Sequence, residues 1–124
     1  MKLRIKGNSV RFRLTKSEVK LIGETGILIE KVEFMPTPFL YSVKANNRVS
    51  ELSAEFKENN ITLFIPEEWA KSWDSSEQVG FEGNIKSGDD KSIYLLIEKD
   101  FKCLDETTED QSDNFENPNI ACAD

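Results

Sequence analysis

The feature that most constrains this chain is one pattern of turns and alternating residues that occurs twice. Leu3-Arg4-Ile5 alternates, Gly7-Asn8 marks a tight turn, and Val10-Arg11-Phe12-Arg13-Leu14 alternates again. Period-two patterning on both sides of a short glycine turn predicts a β-hairpin. Thr15-Lys16-Ser17-Glu18 follows, a capping box whose hydroxyl and carboxylate satisfy free N–H groups at a helix start. The helix is expected over Lys16–Ile22, stopping near Gly23. Gly26 opens the stretch Ile27–Phe34. Met35-Pro36-Thr37-Pro38 breaks it, because proline cannot continue a ladder, and Phe39–Lys44 resumes as a strand.

The same order then returns. Leu52–Lys57, the turn Glu58-Asn59-Asn60 and Ile61–Ile65 read as a hairpin, and Pro66-Glu67-Glu68 starts a helix with proline at its first position. Trp69 and Trp73 share one helix face and are expected to anchor it in the core. Asp74-Ser75-Ser76 ends that helix, and Val79–Ile85 and Ser92–Lys99 form the last hairpin around Lys86-Ser87-Gly88-Asp89-Asp90. At an offset of 51, Lys6 meets Lys57, Asn8 meets Asn59, and Val10, Phe12 and Leu14 meet Ile61, Leu63 and Ile65. One residue further in offset, Glu30 meets Glu82. The pattern predicts an α+β, mainly β fold: an antiparallel, barrel-like structure from two tandem ββαββ units with two short helices. Closure would remove open strand edges, and two like halves can close about a pseudo-two-fold axis. The expected domain is 1–104, with pseudo-repeats 1–46 and 50–101. Residues 105–124 read as an acidic, flexible C-terminal tail, with Phe115, Pro118 and Ile120 as anchors if it docks.

At 124 residues and 38% hydrophobic, the chain has apolar material for one core and too little length for two ordinary domains. It contains no histidine, which excludes His-based triads, Cys/His zinc sites and His general bases. No apolar run approaches a membrane span, and no signal-peptide core follows Met1-Lys2-Leu3-Arg4-Ile5-Lys6, so a cytoplasmic location is expected. In a reducing cytosol Cys103 and Cys122 are expected as unpaired thiols, too few for a closed zinc site. The tail lacks the spacing and the glycine of a calcium loop.

Charge is distributed unevenly. Residues 1–20 carry seven cations and one anion, whereas 105–124 carry seven anions and no cation. The net charge of −7 therefore belongs to the tail, and the body is neutral. Fields act locally, so a low overall pI does not exclude an anionic ligand, although it argues against broad non-specific nucleic-acid binding. In the first hairpin Lys2, Arg4 and Lys6 share one strand face, as do Arg11 and Arg13, and Leu3, Ile5, Val10, Phe12 and Leu14 take the other. Like charges opposed across strands destabilise a sheet, so carboxylates or an anionic ligand should offset these five. In the second unit Thr62 and Phe64 stand where Arg11 and Arg13 stand in the first, so an anion site would be asymmetric.

The run Lys6-Gly7-Asn8-Ser9-Val10-Arg11-Phe12-Arg13-Leu14-Thr15 resembles the opening of AbrB-type swapped-hairpin domains of bacterial transition-state regulators and antitoxins. The likeness covers about residues 3–34 and, more loosely, 54–85. It implies two interlocked copies that bind DNA, here joined in one chain. The chain is also similar to an uncharacterised family of small bacterial proteins with no assigned activity. That likeness rests on Arg4-Ile5-Lys6-Gly7-Asn8-Ser9, on Ile97-Glu98-Lys99-Asp100-Phe101-Lys102-Cys103-Leu104, on Glu109-Asp110-Gln111-Ser112-Asp113-Asn114-Phe115 and on Asn117-Pro118. In topology the duplicated units resemble CYTH-type triphosphate enzymes, whose tunnel is lined with Lys, Arg and Glu. Their Glu-x-Glu-x-Lys strand motif is absent, since the first strand reads Lys2-Leu3-Arg4-Ile5-Lys6.

A non-enzymatic binding module ranks first. Lys2, Arg4, Lys6, Arg11 and Arg13 would hold an anionic ligand, either a phosphorylated small molecule or an acidic protein partner. An AbrB-like DNA-binding, antitoxin-type regulator ranks second. A CYTH-like metal-dependent triphosphate hydrolase ranks third and would need Glu30, Glu33, Glu55, Glu82 and Glu98 to converge on Mg²⁺ beside the arginines. No catalytic residue, bound metal, cofactor or membrane contact is expected, and the chain is expected to be a monomer or weak dimer. The acidic tail should compete for the cationic face. Deleting 105–124 should therefore strengthen anion binding in a titration, and unchanged affinity would contradict this.

Overall fold

The structure, a computed structural model, describes residues 1–101, Asp113 and Phe115. Strands β1 (Lys2–Lys6) and β2 (Ser9–Leu14) form the first hairpin, followed by helix α1 (Lys16–Thr25) and the hairpin of β3 (Ile27–Val32) and β4 (Phe39–Asn46). The order then recurs as β5 (Ser53–Lys57), β6 (Asn60–Pro66), helix α2 (Glu67–Trp73), β7 (Gly80–Lys86) and β8 (Ser92–Lys99). Turn chemistry explains the tight connections. Gly7 has φ +54°, and Glu58 and Asn59 have φ +52° and +61°, the left-handed values that two-residue hairpin loops need.

Every β5–β6 pairing is a β1–β2 pairing moved by 51 positions: Lys2↔Arg13 becomes Ser53↔Phe64, and Arg4↔Arg11 becomes Glu55↔Thr62. The same shift carries Val19 and Ile22, the buried residues of α1, onto Ala70 and Trp73, those of α2. Beyond the helices the offset grows. The ladders set Glu30 level with Gly83, and Glu82 level with Ile29, so Glu30 and Glu82 do not correspond.

The hairpins do not close into an antiparallel barrel. They form two four-stranded sheets, β1-β2-β8-β7 and β3-β4-β6-β5, and among the described residues no strand pairing joins one to the other. Each sheet is mixed, because the central pairs β2–β8 and β4–β6 run parallel. The helices account for this. A ten-residue helix is about 15 Å long, and packed sheets lie about 10 Å apart, so α1 carries the chain out of the first sheet and delivers β3 to the second. Helix α2 carries it back. Each sheet thereby receives one hairpin from residues 1–46 and one from residues 53–99.

The core lies between the sheets. Phe12, Leu14, Leu95 and Ile97 from the first face Val43, Leu63 and Ile65 from the second, and all seven are fully buried. Trp73 is buried as well, donating its indole N–H to the Gln78 carbonyl at 2.8 Å, whereas Trp69 is half-buried and stacks on Phe81 with centroids 4.9 Å apart. The capping box forms: the Thr15 hydroxyl accepts from the Glu18 N–H, and the Thr15 N–H donates to Glu18 Oε1 at 2.9 Å. Glu18 Oε2 also pairs with the Met1 ammonium at 2.6 Å.

Three local expectations need correction. Helix α1 runs past Gly23 to Thr25, and Gly26, at φ +79°, ends it by donating to the Ile22 carbonyl. Pro66 is the N-cap of α2 and the last residue of β6 rather than the first helical residue. Strand β3 ends at Val32, before Phe34. Gly23 is internal to α1 because α1 and α2 cross there: a Cβ on it would lie 2.9 Å from the Ala70 carbonyl oxygen. Two expectations, the state of Cys103 and Cys122 and most of the acidic tail, lie outside the described residues. Of the tail, Asp113 accepts from the Lys16 N–H at 2.9 Å, and the Phe115 ring meets Phe101 edge-on under Lys99. Among the described residues no helix is long and apolar enough to cross a membrane.

The Gly23 contact has a sign that separates it from helix propensity. In an open helix Gly→Ala stabilises by about 1 kcal/mol. At the α1–α2 crossing the added methyl meets backbone, and overpacking costs about 1–3 kcal/mol. Gly23→Ala is expected to lower the urea midpoint, and a raised midpoint would show that the helices do not approach this closely.

Candidate anion-binding face

Residues directly opposite one another across paired strands lie on the same side of a sheet. The registers of the first sheet therefore build three rows on the face turned away from the core. They are Lys2–Arg13–Glu98–Gly80, Arg4–Arg11–Leu96–Glu82 and Lys6–Ser9–Tyr94–Asn84. All five sequence-predicted cations stand together on the β1–β2 half of this face. Lys2, Arg4 and Lys6 are exposed, and Arg11 and Arg13 are half-buried among their neighbours. The cations do not line an enclosed tunnel, because the space between the sheets is filled by Phe12, Leu95, Ile97 and their partners.

Among the described residues the like-charge crowding is relieved at one end only. Arg13 Nε donates to Glu98 Oε1 at 2.8 Å, and Lys2 Nζ lies 3.3 Å from Asp100 Oδ2. Among the described residues Arg4, Lys6 and Arg11 are in no ion pair. Arg4 and Arg11 are direct cross-strand partners on one face, and among the described residues neither has an ion-pair carboxylate. Such a pair is unfavourable by itself and suits an oxyanion, which accepts from both forks.

The five candidate carboxylates do not converge. Glu30 accepts from the Met1 ammonium at 3.3 Å, Glu33 pairs with Lys31 at 3.4 Å, and Glu55 stands opposite Thr62 on the second sheet. Only Glu82 and Glu98 share the cationic face, and no group of three or more metal-ligating side chains occurs among the described residues. These side chains supply no carboxylate set for the Mg²⁺ of a triphosphate hydrolase.

The parallel pairing of β8 beside β2 adds residues that reading the first hairpin alone missed. Tyr94 and Leu96, both half-buried, continue the face next to Ser9 and Arg11. Alternation within Ser92–Lys99 placed them on one side of their strand, but nothing local tied that strand to the arginines. Tyr94 Oη donates to Glu82 Oε2 at 2.7 Å. Beyond them, a cleft of about 400 Å³ is lined by Trp69, Phe81, Glu82, Leu96 and Glu98. On the second sheet the equivalent rows are Ser53–Phe64–Lys44–Ile27, Glu55–Thr62–Ser42–Ile29 and Lys57–Asn60–Leu40–Lys31. There Ser42 and Thr62 bond to each other at 3.1 Å, and no arginine appears.

The Tyr94 phenol titrates above its ordinary value, first because of its bond to the Glu82 carboxylate and then because of burial, with Arg11 pulling the other way. Glu82→Gln removes the carboxylate charge, so the Tyr94 titration followed by ultraviolet absorbance should move to lower pH. A midpoint that stays put would contradict the contact.

No curated protein and no solved structure matches this chain. A family model matches residues 1–119, nearly the whole length, and agrees with the likeness carried by the opening and closing motifs. The chain belongs to DUF7009, a family of unknown function.

Proposed function

We propose that this protein is a non-enzymatic module that binds an anionic ligand on the outer face of the first sheet. The observation that carries the reading is the Arg4–Arg11 cross-strand pair, flanked by Lys6, with no ion-pair partner among the described residues. A fold that keeps two arginines opposed on an open face accepts a stability cost that a bound oxyanion reverses. The common 51-residue shift of hairpin and helix supports a duplicated ββαββ unit whose halves exchanged hairpins. Only the first copy carries the arginines, so the site is single and asymmetric.

A second reading, an AbrB-like regulator of duplex DNA, is favoured by that exchange, since each sheet takes one hairpin from either half. The absence of arginines from the equivalent rows of the second sheet weighs against it. A two-fold DNA reader needs both halves to carry contacts.

Calorimetric titration at low salt with a nucleotide, polyphosphate and an acidic peptide is the test. Binding of at least one probe is expected, weakening as salt rises. The Arg4→Ala/Arg11→Ala variant should lose about 3 kcal/mol, roughly a hundredfold. Lys57→Ala, on the other sheet, should change nothing. Absence of binding by every probe would end the proposal.

A further inference from the structure

We propose that the ligand of this face is a single-stranded nucleic acid, its phosphates running over β1–β2 and its bases lying over Tyr94 and Leu96 of β8. This rests on the anion-binding reading and names its ligand class.

The first argument is spacing. Side chains two apart on a strand repeat at about 6.7 Å, so the rows of Lys6 and Arg4/Arg11 form a charge track rather than a point. A track on an open sheet suits a polymer with one charge per unit. A small phosphorylated molecule is usually held in a concave pocket, with polar groups converging on it.

The second argument is the order of chemistries across the strands. Strands lie about 4.8 Å apart, so the face changes from guanidinium on β2 to an aromatic and an aliphatic side chain on β8 within one strand spacing. One more strand brings Glu82 and Asn84. Phosphate, stacking surface and hydrogen-bonding edge follow one another as backbone, base plane and base edge do in a nucleotide. At the β7 edge a cleft lined by Gly80, Glu82, Leu96 and Glu98 adjoins this face, and its carboxylates would accept from base N–H groups. An acidic peptide would meet the same arginines, but its carboxylates would be repelled by Glu82 and Glu98 on the far side. It also has no flat group for Tyr94.

The third argument concerns shape. Stacking on Tyr94 needs a base whose face is free, and in a duplex the faces are covered by neighbouring bases.

Fluorescence anisotropy with the full chain tests this. The probes are labelled oligothymidine and oligouridine of about ten nucleotides, a duplex of equal length, polyphosphate and polyglutamate. The single strands are expected to bind most tightly. Tyr94→Ala should weaken them about tenfold while leaving polyphosphate affinity unchanged, and Tyr94→Phe, which keeps the ring and loses the bond to Glu82, should bind as the parent does. Arg4→Ala/Arg11→Ala should reduce the slope of log affinity against log salt by about 1.4. Circular dichroism establishes that each variant folds, and the exposed Lys6→Ala supplies an independent loss of track charge. If polyphosphate or polyglutamate binds as well as the single strands and Tyr94→Ala changes nothing, this inference fails and the anion-binding reading stands. A preference for duplex overturns the inference in favour of the AbrB-like reading. If no probe binds at low salt, both fall.

Discussion

The packing of the two sheets against each other governs the rest of the molecule. Phe12, Leu14, Leu95 and Ile97 can reach Val43, Leu63 and Ile65 only if each sheet turns its alternate side chains inward. The remaining side chains then lie on the outer sides of the sheets. For β1 and β2 those are Lys2, Arg4, Lys6, Arg11 and Arg13, so burial of Phe12 and Leu14 on the opposite side is what gathers the hairpin's charges on one surface. The α1–α2 crossing at Gly23 completes the arrangement, since both helices must pass between the sheets.

Equivalent frames carry different chemistry on the two sheets. The first outer face is a cationic strip bordered by an aromatic and an aliphatic side chain, and the second holds Ser42, Thr62 and Asn60 beside Ile27 and Ile29. The positions between the sheets are apolar in both, while the equivalent outer rows differ: Arg4–Arg11–Leu96–Glu82 on the first and Glu55–Thr62–Ser42–Ile29 on the second.

Local features were legible from the residues. The four hairpins, the Thr15–Glu18 capping box and the alternation that separated Arg11 and Arg13 from Phe12 and Leu14 all depend on neighbours within a few positions. Two of the misread features depended on distant partners. Gly23 looked like a helix stop because glycine commonly is one, and it is instead the point where Ala70 comes close. Glu30 and Glu82 looked equivalent because short alternating runs align equally well one residue apart, whereas the ladders fix their register through β4 and β8. No local signal tied Tyr94 to the arginines. It belongs to the cationic face only because β8 lies parallel to β2, more than eighty residues away in the chain.

By itself the sequence determined where most strands lie, where the chain turns, how α1 begins and which side of the first hairpin is charged. These follow from turn chemistry, capping and period-two alternation, all short-range. Only the tertiary structure decided that the hairpins pair into two mixed sheets and that the strand carboxylates scatter. It also set a tyrosine and a leucine beside the arginines. Pairing between distant strands is set by the joint burial of two apolar surfaces, and no stretch of sequence read alone contains both of them.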